Sequence, residues 1–479
     1  MHHRAWVSIV NLLWVAAAIC SVQVSHAVDL EGVYRDALTN DPTFQQAYAN
    51  MRASREARPE AWAALLPQIS GSGGRTADHS SGFQSNITAL QSGALFPFTI
   101  QNTGNATTDQ WRLDLRDSLF SWANWMGIRA ADRQVAEAQA TYQAAAQDLI
   151  LRTAVAYFNV LSAVDTLQAQ ESSLAAYSEQ LEQTKARYKA GLIGIIDVEQ
   201  SQAARDSTAA AVVVAKQTLA SADDALRAIT GREYEVLAEP AADMTLAMPE
   251  PADQERWVRT SLQSNLALIA SRLAADVARE NVLGAFGGHV PTVSIVASRS
   301  YTRTNATEDA FGQTFALPNK INDRQIELEV SVPIFSGGAT QAQVHQAEYQ
   351  WIAAKDAMHE VARSTEQQAR DAYTGVISGI GNVQARRQAL TSSETAYKAT
   401  EAGYRAGTQS EVDVLTALNT LVQAQTNYAT SRYSYITSAM QLSFAAGTLD
   451  RNAISAVNRW LTVNESVSGI GAAMPLIRR

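Results

Sequence analysis

Cysteine is almost missing from this sequence: Cys20 is the only one among 479 residues. A disulfide framework is therefore excluded, and so is a thiol nucleophile. Positive charge is also short, with 38 Lys and Arg against 47 Asp and Glu and a formal charge of −9. A polyphosphate surface needs concentrated Lys and Arg, so nucleic acid is excluded as a partner. Histidine is scarce too: beyond residue 27 there are only His79, His289, His345 and His359. His345 and His359 sit 14 residues apart, about 21 Å along a helix, and no HExxH occurs. Gly71-Ser-Gly-Gly is not followed by the Lys-Ser/Thr of a phosphate loop, and no G-x-S-x-G elbow is present. Neither a metal centre nor a cofactor site takes shape, and the residues point away from an enzyme.

Long apolar runs are missing beyond the first residues. The longest, Ala209 to Ala215, falls far short of the ~20 residues that span a bilayer. No transmembrane helix is expected, which leaves an exported soluble protein or a membrane β-barrel. Export is expected because the chain starts like a signal peptide. His2, His3 and Arg4 precede the apolar stretch Trp6–Ile19, and Ser25-His26-Ala27 is a small-x-small cleavage site. Cys20 lies inside that segment, so the mature chain would have no cysteine. Ile19 stands where a lipidated cysteine would need a small residue before it.

What the chain does have is repetition. Arg187–Val198 (RYKAGLIGIIDV) matches Gly403–Val414 (GYRAGTQSEVDV), with Tyr188/Tyr404, Gly191/Gly407 and Asp197/Asp413 all offset by 216 residues. The same offset relates Tyr157 to Tyr373 and Gly231 to Gly447. Each copy reads as short helix, strand, loop, strand, long helix, turn, long helix, so the chain reads as one duplicated unit. Val160, Leu167, Leu174, Leu181 and Tyr188 recur every seventh residue, as do Val376, Val383, Leu390, Tyr397 and Tyr404. A seven-residue apolar repeat means coiled-coil-like packing. The second seam, at Glu171, Ser178 and Lys185, is polar. Ser121–Ala190 contains no proline and predicts a helix of about 100 Å.

Two strand pairs precede the long helices. Trp111, Leu113 and Leu115 alternate with Arg112, Asp114 and Arg116; Ile326, Leu328, Val330 and Val332 alternate with Glu327, Glu329 and Ser331. Both a membrane barrel and a half-buried soluble sheet use this pattern, so the residues alone leave the two open. Thr76–Thr108 and Thr302–Asn319, rich in Ser, Thr, Asn and Gly, read as long exposed loops. Four strands cannot close a barrel whose smallest membrane form has about eight. A membrane location would therefore require several copies of the chain.

The residues most suggestive of function lie at the two helix–helix turns. Gly191 and Gly407 suit helix C-termini, and Asp197 and Asp413 suit the starts of the next helices. Capping does not explain Tyr188 and Tyr404. Chains converging there would place carboxylates and tyrosines in a ring, and a carboxylate ring at a narrowing selects cations.

The order, the duplication and the turn motifs resemble the TolC family of outer-membrane efflux proteins. The resemblance is carried by Thr153–Leu161 (TAVAYFNVL), Gly191–Ala203 (GLIGIIDVEQSQA) and Tyr404–Leu415 (YRAGTQSEVDVL), and runs to about Leu461. It implies an α+β membrane protein: a homotrimer with a shared 12-stranded β-barrel, a long α-helical barrel and a mixed α/β equatorial collar. It also implies a location in the Gram-negative outer membrane reaching into the periplasm, and no cofactor. Its partners would be an inner-membrane pump of RND or ABC type and a periplasmic adaptor protein. The expected division is a signal peptide at 1–27 and N-terminal helices of collar and upper tunnel at 28–66. The barrel hairpins follow at 67–120 and 290–336, and the long helical pairs at 121–231 and 337–447. A collar and upper helix at 232–289 and a C-terminal collar segment and tail at 448–479 complete the chain.

The family's closed end maps onto Asp197 and Tyr404 in a closing network and Asp413 in an acidic ring. This chain departs from the pattern at Gln409, where the family has Arg, at Thr416, where it has a second acid, and at Ile196, where it has Thr. The latch would thus lack a charge-assisted bond, and Glu411 is the carboxylate placed to restore the missing acid. The function expected is an exit duct for small molecules or type I protein secretion. A metal-ion or single-substrate duct of the same build, and a structural coiled coil, remain as alternatives.

Overall fold

The computed structural model describes residues 27–89, 95–241, 244–310 and 313–462. The expected export signal, except Ala27, and the tail beyond residue 462 lie outside the described residues. The elements run α1 (Leu30–Asn40), α2 (Pro42–Arg55), α3 (Ala57–Ala63), β1 (Gln68–Ala89), β2 (Leu95–Phe120), α4 (Trp122–Lys189) and α5 (Ile195–Thr230). They continue with β3 (Glu239–Pro240), α6 (Gln254–Ser264), α7 (Leu266–Phe286), β4 (Thr292–Ala310) and β5 (Gln313–Ser331). The last are α8 (Ala339–Arg405), α9 (Glu411–Ala445), α10 (Arg451–Asn458) and β6 (Leu461–Thr462). Two compact units result, one of residues 1–49, 142–268 and 362–479, the other of 50–141 and 269–361.

The second unit contains the four-stranded antiparallel sheet, in the order β1-β2-β4-β5. Its register builds faces from rows of partners. Ile69, Leu115, Ala297 and Ile326 pair across the sheet in one row, and Gln68, Arg116, Val296 and Glu327 in the next. Successive rows point to opposite faces, so one face is apolar and the other mostly polar. The apolar face is bare: Ile69, Ile326 and Leu328 are 67%, 84% and 63% exposed. Across the polar face Arg116 pairs with Glu329 at 3.4 Å. Both outer strands, β1 and β5, keep one edge unpaired within the chain.

The strands correct one sequence reading. Most of the segments expected to be long loops, Thr76–Thr108 and Thr302–Asn319, continue the ladders, giving strands of 22, 26, 19 and 19 residues. Ser, Thr, Asn and Gly dominate these extensions, with Phe83, Ile87, Phe315 and Leu317 as exposed apolar exceptions. The strands are held by backbone pairing, and the many threonines suit a strand.

The first unit is helical. α4 is an unbroken helix of 68 residues and α8 one of 67. Its core gathers Tyr157, Phe158, Leu149, Tyr435, Ile436 and Met440 around Leu30 and Val33 of α1. α4 also holds an 18-residue stretch of mean hydropathy 1.2, apolar enough to cross a membrane; 56% of it is buried, which fits a core helix. The buried tyrosines bring partners with them: the Tyr157 hydroxyl donates to the Ala238 carbonyl at 2.7 Å, and that of Tyr433 to Asp165 at 2.7 Å. Asp41, 2% exposed, accepts from the Phe44 N–H at 2.8 Å and pairs with Arg152 at 2.9 Å. It thus caps α2 and ties it to α4.

Gly447 ends α9 with φ of +70°. A side chain there would place Cβ 2.2 Å from the Ser264 carbonyl oxygen. Asn265 explains this close approach, since its amide donates to the Ala445 carbonyl at 3.1 Å and draws the α6–α7 junction onto the end of α9. Gly407 has the same handedness (φ +80°) but open space around it. Gly407→Ala should therefore cost only backbone strain of about 1–2 kcal/mol, while Gly447→Ala adds a further ~1–3 kcal/mol of overpacking. Thermal melts of both variants, followed by circular dichroism in detergent, should show the larger drop for Gly447→Ala.

Candidate gate at the helical turns

Each long helix ends in the same way. Gly191 adopts φ of +71°, its N–H donates to the Tyr188 carbonyl at 2.9 Å and the Leu192 N–H to that of Arg187 at 3.0 Å. Gly407 repeats this, with its N–H on Tyr404 at 3.1 Å and the Thr408 N–H on Gly403 at 2.8 Å. This paired closure satisfies carbonyls that a helix end leaves free, and it favours glycine because of the positive φ.

The next helices start differently from one another. In α9 Ser410 is the cap: the Asp413 carboxylate accepts from its N–H at 2.9 Å and its hydroxyl at 2.6 Å, and that hydroxyl oxygen accepts from the Asp413 N–H at 3.3 Å. These bonds hold the exposed Asp413 carboxyl below the usual carboxylate range. In α5 the cap position is Gly194, which has no side chain to offer. Only the returning bond remains, from the Gly194 N–H to Asp197 at 3.3 Å. Asp197 is half-buried and Asp413 exposed.

The two tyrosines are not equivalent in their surroundings. Tyr188 is 43% exposed, whereas Tyr404 is 8% exposed under the Arg187 guanidinium, 4.4 Å above its ring centroid. The Tyr404 hydroxyl is buried beside the Glu411 carboxylate and makes no hydrogen bond of good geometry. Desolvation, then the hydrogen-bonding pull and the charge of the Glu411 carboxylate, push its pKa up to about 12, against the opposing pull of Arg187. No bond joins it to Asp197. Gln409 is exposed with its stem against Gly403, and makes no hydrogen bond among the described residues.

Glu411 is the least expected of these residues. It does not stand beside Asp413 in water but is 3% exposed. Gln180 donates to both its oxygens at 3.0 and 2.9 Å, and the hydroxyls of Thr184 and Ser201 donate at 3.1 and 2.9 Å. Gln180 and Thr184 belong to α4 and Ser201 to α5, so the carboxylate joins the second helical hairpin to the first. Beside it Tyr177, Leu418 and Val422 form a small apolar cluster, and the Tyr177 hydroxyl donates to the Leu415 carbonyl at 3.1 Å. The buried positions of α4 here are Ser173, Tyr177, Leu181 and Thr184; of the expected seam Leu181 is buried, Leu174 is half-buried and Tyr188 is exposed. Sequence reading missed Gln180, Thr184 and Ser201; the available signal was the seven-residue step from Tyr177 to Thr184.

A buried hydroxyl that sits beside a carboxylate without a well-formed bond adds little to a fold. Tyr404→Phe should therefore not lower the thermal midpoint, and can raise stability by up to about 1 kcal/mol. A clear fall in the melt would show that the hydroxyl does have a partner.

Comparison with known proteins places this geometry. The model of the family described as "Outer membrane efflux protein" matches residues 33–232 and 257–448. Outer membrane protein TolC of Vibrio cholerae is 33% identical over 452 residues, covering 94% of this chain and 98% of that one. The alkaline protease secretion protein AprF of Pseudomonas aeruginosa is 26% identical over 426 residues, covering 88% and 85%. Among solved structures, the outer membrane protein VceC from Vibrio cholerae superposes with a TM-score of 0.68 at 21% identity, covering 87% of this chain and 96% of that one. With nearly its whole described length matched, the chain belongs to the outer membrane efflux protein family.

Proposed function

We propose that three copies of this chain close one twelve-stranded barrel in the outer membrane and continue it inward as a helical tunnel. The chain is an outer-membrane channel of efflux and type I secretion. The observation that supports the shared barrel is the sheet: four strands, two unpaired edges and one bare apolar face. Unpaired backbone groups are not tolerated in hydrocarbon, and four strands are half of what the smallest membrane barrel needs. Any closed ring of copies satisfies every edge by pairing β1 of one chain with β5 of the next; the number three is what the resemblance to the TolC family implies. The two halves, with long helices of 68 and 67 residues and following helices of 36 and 35, are the products of one duplication.

In this reading residues 67–120 and 290–336 form the barrel. Residues 121–231 and 337–447 form the tunnel, while 28–66, 232–289 and 448–462 contribute the collar and upper helices. The duct works by conduction, not catalysis, and an inner-membrane transporter with a periplasmic adaptor drives and opens it. Its constriction lies at the turns, where Asp197, Tyr188, Tyr404, Gln409 and Asp413 gather. Asp413, exposed and held ionised by Ser410, supplies the ring charge.

The sign of its pH response follows from that. A carboxyl with a depressed pKa stays charged above its folded-state value, and its capping bonds and ring charge are lost only as pH falls through that value. Cation selectivity in planar bilayers should persist as pH drops through the ordinary carboxylate range near about 4, and fade below it. Asp413→Asn should reduce the cation-to-anion permeability ratio several-fold at neutral pH. Unchanged selectivity would remove Asp413 from the constriction.

A further inference from the structure

We infer that Glu411 is a positioning residue for the gate, clamping the second helical hairpin of each chain to the first and so setting how far the tunnel end stands closed. The inference rests on the duct reading above. It starts from a misplaced charge. Glu411 is the first residue of α9, and an acid there ordinarily sits in water near the helix's positive end. Here it is turned inward and 3% exposed, with no cation paired to it among the described residues. A buried carboxylate without a counter-ion is tolerated only when donors surround it. Four hydrogen bonds do so, and every one comes from the other hairpin: two from Gln180, one from Thr184 and one from Ser201.

The first hairpin is arranged to donate. Gln180 and Thr184 lie one helical turn apart on α4, and the Ser201 hydroxyl reaches in from α5 within 3.4 Å of Thr184. Thr184 and Ser201 are 0% and 1% exposed, so these are interior positions that polar side chains occupy for the carboxylate. Tyr404 lies against the same carboxylate, beneath Arg187 of the first hairpin. By contrast, among the described residues Asp197 and Gln409 make no bond across the hairpins. Within one chain the polar hold between hairpins at this level centres on Glu411, with the Tyr177–Leu415 bond, the Tyr177–Leu418–Val422 cluster and the Arg187–Tyr404 stack beside it. Swinging the second hairpin away would break all four bonds together and hydrate both sides, which makes the clamp reversible.

The test uses the full chain, purified from outer membranes and reconstituted in planar bilayers. Closed-state conductance is compared for wild type, Glu411→Ala, Glu411→Gln and the exchange pair Gln180→Glu with Glu411→Gln. Glu411→Ala should shift the population toward open and raise mean conductance about threefold or more, with Glu411→Gln intermediate. The exchange pair rebuilds an amide–carboxylate contact with its direction reversed, and should return conductance most of the way to wild type. A purely structural role predicts no such rescue. Wild-type conductance in Glu411→Ala, or an exchange pair no better than Glu411→Gln alone, would overturn the clamp. Where Glu411→Ala does not assemble, Glu411→Gln and the exchange pair, which keep the side-chain volume, decide the matter. A wild-type protein that conducts no ions would instead refute the duct reading. Wild-type pores whose selectivity depends on Asp413 but whose conductance ignores Glu411 would refute the clamp alone.

Discussion

Backbone N–H and C=O groups at a strand edge must find partners, and in hydrocarbon water cannot provide them. Most of this molecule's organisation can be traced to that requirement. Four strands with a bare apolar face leave two edges open within the chain, and in the proposed channel copies of the chain close them by pairing β1 with β5. In the proposed channel the same ring sets the long helices of neighbouring copies side by side. That makes sense of their narrow buried seams and their wide faces of Ala, Gln, Ser and Thr. A helix destined for a wall has two flanks to fill and one face to keep wet.

In the proposed gate the turns carry a second constraint, which is how to hold helices together loosely enough to part. Apolar contact alone resists separation in proportion to the area it hides. The contacts between the hairpins near the turns combine a small apolar cluster with polar bonds that water can replace. Tyr177, Leu418 and Val422 supply the former, and Glu411 with Gln180, Thr184 and Ser201 the latter. Buried polar clusters of this kind are specific because an ill-matched partner leaves a charge unsatisfied. Gln409 makes no hydrogen bond among the described residues, and the structure places the Glu411 carboxylate between the hairpins.

How much of this was legible beforehand depended on whether side chains or backbone carried the signal. Helices α4 and α8 were plain, because Val160, Leu181, Val376 and Val383 mark buried positions and each helix lacks proline. The strand cores near Leu115 and Ile326 were plain as well, since one face is apolar. Thr76–Thr108 and Thr302–Asn319 read as loops because Ser, Thr, Asn and Gly dominate them, and the backbone pairing that extends the strands leaves no trace in composition. The inner seam was legible only in part because Ser173 and Thr184 look like surface residues in a sequence; Thr184 hides its hydroxyl by donating to the Gln180 carbonyl at 2.8 Å as well as to Glu411. Glu411 itself resembled an ordinary acid at a helix start. Only the packing of the other hairpin shows that it faces inward.

The central claim is that one barrel is shared by three chains. Cryo-electron microscopy of the full protein extracted from outer membranes tests it most directly. The account predicts particles of three copies, with β1 of each chain hydrogen-bonded to β5 of the next in a closed ring of twelve strands. A particle of any other copy number, or a sheet whose β1 and β5 edges stay unpaired in the membrane layer, would contradict it.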